Sequence, residues 1–372
     1  MLDHVGEHFR QLAVPGPGDV LRLEHVVKRY GPRSVLDDVS LTIPSDQYVS
    51  LLGPSGSGKT SLLRVIAGFE RPEAGRIVLD EMPIEDVPAH RRGIGFVFQN
   101  FALFPHLSVR DNIAYGLVNR ATPAADARAR VEAIIALVGL GGLERRGVRE
   151  ISGGQRQRVA LARTLVTAPR LVLLDEPLGA LDANLRERMQ VELREIRAKL
   201  GVTFLHVTGN ETEALAMGDR TIVLDGGRVA QVDTPDRVHN APASARVARF
   251  LNCYNVFEGT LSGDRFIASH GTFAIRSPVS PAARAARPAY AIRQDRVAIG
   301  APDQQLAAGE AGAVARFVAS EYSGPTIVYL FDLAGHGTVE VEDHLSHRAP
   351  RELTPGADYR LRWRDTDAVI FG

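Results

Sequence analysis

The chain has 372 residues, 45% of them hydrophobic, which is enough for two or three globular domains with buried cores. Lys and Arg number 44, as do Asp and Glu, which excludes a whole-protein electrostatic attraction to nucleic acid or to an anionic membrane. The single cysteine excludes an internal disulfide framework, and no apolar run approaches the ~18 residues of a membrane-spanning helix.

The N-terminal two thirds of the chain alternate strand-like and helix-like segments. Residues 1–18 are predicted to be a flexible leader, because Pro and Gly alternate at its end, and its early acidic residues argue against a secretory signal. Strand-like runs lie between Leu21 and Leu52, and a glycine-rich loop, a helix and the strand-like run GIGFVFQ follow. The remaining predicted elements are helices within 108–140 and 153–166, a strand at 171–174, a helix over 183–199, the strand TFLHVT and a Gly-rich hairpin. This alternation predicts an α/β domain with a mainly parallel sheet.

The character of the sequence changes after about residue 240. Helical periodicity ends near Leu251, and short strand-like runs separated by turn residues follow. We therefore predict a small all-β domain of barrel type, with the domain boundary between Pro242 and Asn255.

One glycine-rich loop carries a phosphate-binding pattern. Residues 53–60 match G-x-x-x-x-G-K followed by Ser or Thr, between a strand and a helix. In that pattern backbone N–H groups surround phosphates, Lys59 neutralises the terminal phosphates and Thr60 can ligate magnesium. The alternative is an incidental Gly-rich turn, which this sequence context disfavours. The candidate nucleotide-binding residues are Gly53, Pro54, Ser55, Gly56, Ser57, Gly58, Lys59, Thr60 and Ser61.

Two carboxylates follow the apolar run at 171–174. Asp175 would hold the metal, and Glu176 would act as the general base that activates water. The alternative is a pair of acids that merely ends a strand, but the phosphate loop favours the functional interpretation because ligands collect at the carboxyl ends of parallel strands.

A second candidate anion site lies at the start of another helix. Ser152 and Gln155 have the spacing of a capping box, which is a purely structural device. Gly153 and Gly154 are not explained by a cap, and two glycines in a first helical turn fit close approach by a phosphate. Two separated anion sites suggest that two chains share one nucleotide.

Together these segments resemble the nucleotide-binding subunits of the ATP-binding cassette (ABC) transporter family. The similarity covers residues 20–240 with specific motifs and 241–372 more loosely. It implies a P-loop NTPase cassette at 19–242, with a mainly parallel sheet, an antiparallel β-subdomain and a helical subdomain at about 100–165. It also implies an OB-like (TOBE) regulatory domain at 243–372. In the tail, stretches such as NVFEG at 255–259 and YSGPT at 322–326 are most similar to the polyamine (spermidine/putrescine) group of importers.

The resemblance assigns further residues of the site. It implies that ATP and Mg²⁺ bind, with Thr60, Gln99 and Asp175 at the metal, and that Glu176, Lys59 and Gln99 serve hydrolysis of ATP to ADP and phosphate. It also implies that Tyr30 stacks on adenine and that Asp182 belongs to an interface loop at 178–182. On their own, Tyr30 would be packing and Gln99 a polar strand end.

The same resemblance implies partners and location. Two ATP-binding subunits, identical or mixed, would pair head to tail, so that Ser152 and Gly154 face the ATP on the Lys59 of the mate. The dimer would bind two integral-membrane permease subunits through the apolar segments 101–106 and 112–117, whose alternative interpretation is buried core. An extracytoplasmic solute-binding protein would act indirectly, nucleic acid would not be a partner, and the subunit would lie peripherally on the cytoplasmic face of the inner membrane.

One position departs from the family pattern. Where the family has a histidine that touches the γ-phosphate, this chain has Gly209, and His206 is predicted to point to the opposite face of its strand. Asn210 and Glu213 still form a helix-start box. We therefore expect ATP binding with weakened hydrolysis. Two alternatives remain: a nucleotide-binding regulatory or structural subunit with little turnover, and a soluble cassette ATPase not involved in transport.

Overall fold

The computed structural model describes residues 18–179, 181–269, 271–275, 288–334, 337–346 and 349–372. The predicted leader therefore lies outside the described residues, apart from Gly18. The chain divides between Ala241 and Pro242 into two compact units, which are described separately below. Within the described residues, no helix combines the length and the apolar character needed to span a bilayer.

The described residues of the first unit form ten strands. They are β1 (Asp19–Tyr30), β2 (Arg33–Pro44), β3 (Tyr48–Leu52), β4 (Ala74–Leu79), β5 (Met82–Pro83), β6 (Ile94–Val97), β7 (Leu171–Asp175), β8 (Thr203–Val207), β9 (Arg220–Asp225) and β10 (Arg228–Asp233). Strands β2-β1-β4-β5 form an antiparallel sheet, and β10-β9-β3-β8-β7-β6 form a second sheet that is parallel except at the β9–β10 hairpin. The carboxyl ends of β3, β6 and β7 therefore reach the same edge of that second sheet.

The helices of the first unit follow its strands. They are α1 (Lys59–Ala67), α2 (Val109–Asn119), α3 (Ala124–Leu137), α4 (Gly153–Leu165), α5 (Ala183–Leu200), α6 (Glu211–Met217) and α7 (Pro235–Asn240). The predicted helices are found, and α2 to α4 lie within the segment expected to form a helical subdomain. Most of them begin at a residue whose side chain accepts a backbone N–H of the first turn, such as Ser108 before α2 and Asp182 before α5.

The parallel sheet is covered on both faces, as the continuous apolar strand at 171–174 predicts. Leu171 and Leu173 pack into one hydrophobic cluster, whereas Val172 and Leu174 pack into the other. This alternation is the two-residue period of a strand, and it places β7 between two layers. The carboxylates of Asp175, the last residue of β7, and of Glu176, which follows it, are therefore positioned by a strand whose first four residues are buried.

In its described residues, the second unit consists of antiparallel strands, the short α-helix α8 (Ala245–Phe250) and two 3-10 turns. Its strands are β11 (Tyr254–Ser262), β12 (Arg265–Ala268), β13 (Gly271–Ala274), β14 (Ala289–Arg293), β15 (Ala298–Gly300), β16 (Glu310–Tyr322), β17 (Thr326–Asp332), β18 (Thr338–His344), β19 (Asp358–Arg364) and β20 (Val369–Phe371). They form two five-stranded sheets, β13-β12-β11-β14-β20 and β15-β19-β16-β17-β18. Aromatic rings fill the core, where the indole N–H of Trp363 donates to the hydroxyl of Tyr290 at 2.7 Å.

Candidate functional site

The phosphate loop depends on glycines because other strands approach it closely. A Cβ on Gly58 would lie 2.6 Å from the carbonyl oxygen of Val35, and Gly58 has a φ of 103°, which disfavours any other residue. A Cβ on Gly53 would lie 2.1 Å from the carbonyl oxygen of Leu224. The loop is therefore clamped between β2 and β9 and leads directly into α1, whose N-terminal N–H groups face the loop.

Lys59 is the first residue of α1 and is buried. Its ammonium group donates to the carbonyl oxygens of Gly53 at 2.7 Å and Pro54 at 3.0 Å. Burial lowers the pKa of Lys59, while the nearby charges of Glu176 and Asp175 oppose that change. The lysine is thus held over the loop by two carbonyls, which leaves a third N–H for a ligand.

Thr60 and Asp175 lie together as the sequence predicts. The Thr60 hydroxyl donates to Asp175 Oδ1 at 3.4 Å, and burial followed by the charge of Glu176 raises the pKa of Asp175. A carboxylate and a hydroxyl are hard oxygen donors of the kind that Mg²⁺ prefers, and a cation would relieve the unfavourable ionisation of Asp175. These two side chains therefore fit a magnesium ion.

Glu176 and Gln99 also meet, at the carboxyl ends of neighbouring strands. The Gln99 amide donates to Glu176 Oε2 at 3.1 Å. Glu176 has a left-handed backbone with a φ of 44°, which is rare for a residue other than glycine, and its N–H donates to the Val207 carbonyl at 3.0 Å. Such strain is retained where the surroundings fix the conformation, as they do at many functional sites.

Lys59, Thr60 and Glu176 line one cavity of about 330 Å³, whereas Asp175 and Gln99 do not line it. Its lining consists of Arg33, Val35, Ser55, Gly56, Gly58, Lys59, Thr60, Ser61 and Glu176. Sequence reasoning missed Arg33 and Val35, since neither belongs to a motif. The one signal in the sequence was their position in the strand that follows Tyr30.

The turn at 151–155 is a complete capping box. Ser152 Oγ accepts the Gln155 N–H at 3.3 Å, and Gln155 Oε1 accepts the Ser152 N–H at 2.9 Å. A Cβ on Gly154 would lie 3.1 Å from a methyl group of Leu185, so packing explains part of the need for this glycine. Gly153 has open space around it, and packing does not account for it. This turn does not line the cavity of Lys59.

Tyr30 and Asp182 do not line the cavity of Lys59. The Tyr30 ring is 46% exposed, its hydroxyl donates to Glu70, and Lys28 Nζ lies 5.4 Å from the ring centroid. Asp182 accepts the Leu185 N–H at 2.9 Å and so caps α5. Within the predicted interface loop at 178–182, residue 180 lies outside the described residues.

Gly209 leaves open space at the position where the family resemblance implies a histidine. Apart from Gly209 itself and its two chain neighbours, no described residue has an atom within 4 Å of a Cβ built on Gly209. His206 is fully buried, with Nδ1 2.9 Å from the Tyr48 hydroxyl and Nε2 2.7 Å from Glu213 Oε1. It does not replace the missing ring. Only one of the two contacts of the predicted helix-start box is present. The side chain of Asn210 accepts the Glu213 N–H at 2.9 Å, but the Glu213 carboxylate contacts His206 instead of the Asn210 N–H, so that half of the prediction is wrong.

The apolar segment after Gln99 forms an aromatic surface tied to α4. Phe104 and the half-exposed Tyr115 have ring centroids 4.3 Å apart. Arg163 donates to the carbonyl oxygens of Ala102 at 2.7 Å and Phe101 at 2.8 Å, and its guanidinium lies 5.5 Å from the Phe104 centroid. Phe101 and Ala102 both have left-handed backbones, which these bonds hold.

Both parts of the sequence are similar to known proteins. Residues 36–179 match the ABC transporter family and residues 290–371 match the TOBE domain. The chain is 39% identical over 361 residues to the spermidine/putrescine import ATP-binding protein PotA of Rubrobacter xylanophilus, covering 95% of this chain and 93% of that one. It is 50% identical over 247 residues to the Fe(3+) ions import ATP-binding protein FbpC of Streptomyces coelicolor, covering 66% and 71%.

Two solved structures have a similar fold. One is cbiO1 of Clostridium perfringens, part of the ABC transporter complex cbiONQ, with a TM-score of 0.56 and 29% identity over 63% of this chain and 95% of that one. The other is a dimeric post-hydrolysis state of the ATP-binding cassette MJ0796 bound to ADP and Pi, with a TM-score of 0.51 and 30% identity over 58% and 98%.

The chain therefore belongs to the ABC transporter family, as an ATP-binding subunit of the ABC ATPase type. Within that family it is of the kind that joins the cassette to a C-terminal TOBE domain. The predicted resemblance and the predicted fold class, an α/β cassette followed by an antiparallel β domain, are both confirmed.

Proposed function

We propose that this chain powers an importer by hydrolysing ATP to ADP and phosphate while bound to two membrane permease subunits. The observation that carries the proposal is that Lys59, Thr60 and Glu176 line a single cavity built on the phosphate loop. The proposed location is peripheral, on the cytoplasmic face of the inner membrane, and an extracytoplasmic solute-binding protein would deliver the cargo.

The chain's own groups divide the proposed work. The loop N–H groups and Lys59 hold the phosphates, while Glu176 accepts a proton from the attacking water and Gln99 orients that carboxylate. Thr60, Asp175 and Gln99 would hold Mg²⁺, which supplies neutralisation of phosphate charge when bound. Tyr30 is proposed to stack on the adenine, because its ring is exposed and it pairs across the hairpin with Arg33, which lines the cavity.

The proposed assembly is a dimer, in which the turn at 152–154 and Asp182 of one copy complete the site of the other. Two observations support it: the turn lies outside the cavity of its own chain, and Gly153 lacks a packing role. The two permeases would bind the aromatic surface around Phe104 and Tyr115, since exposed aromatic patches mark interfaces.

The proposed cargo is a polyamine, on the strength of the PotA relative that aligns with nearly the whole chain. Ferric iron is the second candidate, because the FbpC relative is more identical over the cassette. Hydrolysis is proposed to be slow, since Gly209 offers no donor to the γ-phosphate and losing one such donor costs ~10²–10³ in rate. A subunit with little turnover remains the alternative function.

Titration of the purified chain with a fluorescent ATP analogue and Mg²⁺ tests the nucleotide site. Binding by the wild type, its loss in Lys59→Ala, and retained binding without hydrolysis in Glu176→Gln are expected. Size-exclusion chromatography of Glu176→Gln with ATP should show a dimer. Absence of binding by the wild type would refute the proposal, and failure to co-purify with any permease would favour a soluble ATPase.

A further inference from the structure

Arg33 lies in the phosphate cavity although no sequence motif includes it. It is the first residue of β2 and pairs with Tyr30 across the two-residue turn of the β1–β2 hairpin. Of the described residues that line the cavity, Arg33 and Lys59 are the cations and Glu176 is the anion. The hairpin that carries the proposed adenine-stacking ring thus also carries a positive charge.

The start of β2 is fixed against the phosphate loop. Val35 lies two residues after Arg33, and both residues line the cavity. Its carbonyl oxygen would be 2.6 Å from a Cβ on Gly58 and 2.5 Å from a Cβ on Gly227, so only glycines allow this approach. The Arg33 Nη2 atom reaches to 4.0 Å from a Cβ built on Gly56 of the loop. The strand therefore delivers the guanidinium to the loop.

The guanidinium of Arg33 is available to a ligand. It has no hydrogen bond or ion pair with any residue that the structure describes, and it is exposed at the mouth of the cavity. The Lys59 ammonium, by contrast, already donates to two loop carbonyls at 2.7 and 3.0 Å. A planar guanidinium fork matches two phosphate oxygens at once and keeps its charge at any physiological pH.

We propose that Arg33 binds the phosphate chain of a nucleoside di- or triphosphate as a second cation beside Lys59. This inference rests on the proposed function, because it takes the loop at 53–60 to hold a nucleotide. Its contribution is to affinity, since a guanidinium does not transfer protons. The chain then offers two positive charges to a polyanion in a cavity that also contains Glu176.

Equilibrium titration of the full chain with a fluorescent ATP analogue and Mg²⁺ tests this residue. Arg33→Ala is expected to weaken binding about tenfold and to reduce its dependence on salt, because one charge-assisted phosphate contact is lost. Arg33→Lys should recover part of that affinity. The matched control is Arg76→Ala, an exposed arginine on β4 of the same sheet that lies outside the cavity, and it should bind like the wild type.

Comparison of ATP with GTP separates a phosphate contact from a disturbed hairpin. A phosphate contact lowers affinity for both nucleotides equally, so the ATP-to-GTP ratio of Arg33→Ala should equal that of the wild type. Tyr30→Ala, which removes the ring, should change this ratio. Thermal melting without nucleotide checks that each variant is folded.

Three results would overturn the role of Arg33. They are unchanged ATP affinity in Arg33→Ala, equal losses in Arg33→Ala and Arg33→Lys, and a changed ATP-to-GTP ratio in Arg33→Ala. Failure of the proposed function has a different signature, because the wild type would then bind no better than Lys59→Ala.

Discussion

The side-chain amide of Gln99 donates a hydrogen bond to the carboxylate of Glu176, with 3.1 Å between Nε2 and Oε2. The two residues follow β6 and β7, which are parallel neighbours in the sheet, so their side chains leave it at one edge. A movement of the segment after Gln99 would therefore change the position of the carboxylate that is proposed to activate water. The aromatic surface proposed to receive the permeases begins two residues further on.

Replacing Gln99 by Glu would place a second carboxylate beside Glu176. Because two carboxylates at hydrogen-bond distance do not readily ionise together, one pKa rises and the proposed base is partly protonated. ATP hydrolysis at pH 7 should fall about tenfold, and the rise of rate with pH should move to higher pH. A pH–rate profile measures this, with Gln99→Asn as the uncharged control. A profile identical to the wild type would contradict the pairing.

Gly209→His should raise the ATPase rate by about 10²-fold, because it restores a donor to the γ-phosphate. The position accepts a side chain, since no described residue other than the chain neighbours has an atom within 4 Å of the new Cβ. Steady-state ATPase assays measure the effect, and ATP affinity should change little. Gly209→Ala is the matched control, which adds a Cβ without a donor. An equal ATPase rate in Gly209→His and Gly209→Ala would show that the missing imidazole does not limit hydrolysis.

Arg163→Ala should lower the free energy of unfolding by about 3 kcal/mol, because two bonds from a charged donor to carbonyl groups are lost. The strained backbone at Phe101 and Ala102 should then relax and become a site of protease cleavage. Denaturant unfolding and limited proteolysis measure both effects. Arg156→Ala, an exposed arginine of the same helix, serves as control. Equal cleavage of the two variants would show that Arg163 does not hold the backbone at Phe101 and Ala102.

Glu211→Gln tests a pH dependence at the start of α6. Burial raises the pKa of Glu211 to about 7 in the folded chain, above its ordinary value of 4.5. A raised carboxyl pKa means that the stabilising contribution of Glu211 is complete below pH 4.5 and is lost as the pH rises through 7. In a fully buried group, a pKa shift of this size would correspond to a stability change of more than ~3 kcal/mol. Because Glu211 is partly exposed, we expect its contribution to the free energy of unfolding to be only about 1 kcal/mol.

The variant should therefore be more stable than the wild type by about 1 kcal/mol at pH 8 and no more stable at pH 4. Thermal melts at the two pH values measure the difference. Glu187→Gln removes an exposed carboxylate and should give no gain at either pH. A gain of equal size at both pH values would point to helix propensity instead of ionisation.

The sequence allows prediction of those parts of the site whose chemistry lies in one continuous segment. The loop at 53–60 and the cap at Ser152 need fixed residue types at fixed spacing, so they can be read without a structure. Arg163 cannot be predicted in this way, because its hydrogen-bond partners lie 61 and 62 residues away. The position of Arg33 cannot be predicted from the sequence either, since only the hairpin geometry brings it to the phosphate loop.

Glu213 shows how tertiary contacts override a local pattern. Its spacing from Asn210 predicts a reciprocal box, and a carboxylate alone at a helix start would accept a backbone N–H. Here the neighbouring strand places His206 at 2.7 Å, and a buried imidazole leaves no solvent to compete for the carboxylate. The identity of the residue at 206 therefore decides where Glu213 points, which no reading of α6 alone reveals.

Trp363 is the one tryptophan of the sequence, and it lies buried in the second unit beside Tyr290 and Phe273. Its intrinsic fluorescence, excited selectively, therefore follows the melting of the antiparallel β unit and ignores the cassette. Circular dichroism of the helices, most of which belong to the first unit, follows the cassette instead. An optical probe for each half is thus built into the natural chain, and the two transitions can be timed against each other without any added label.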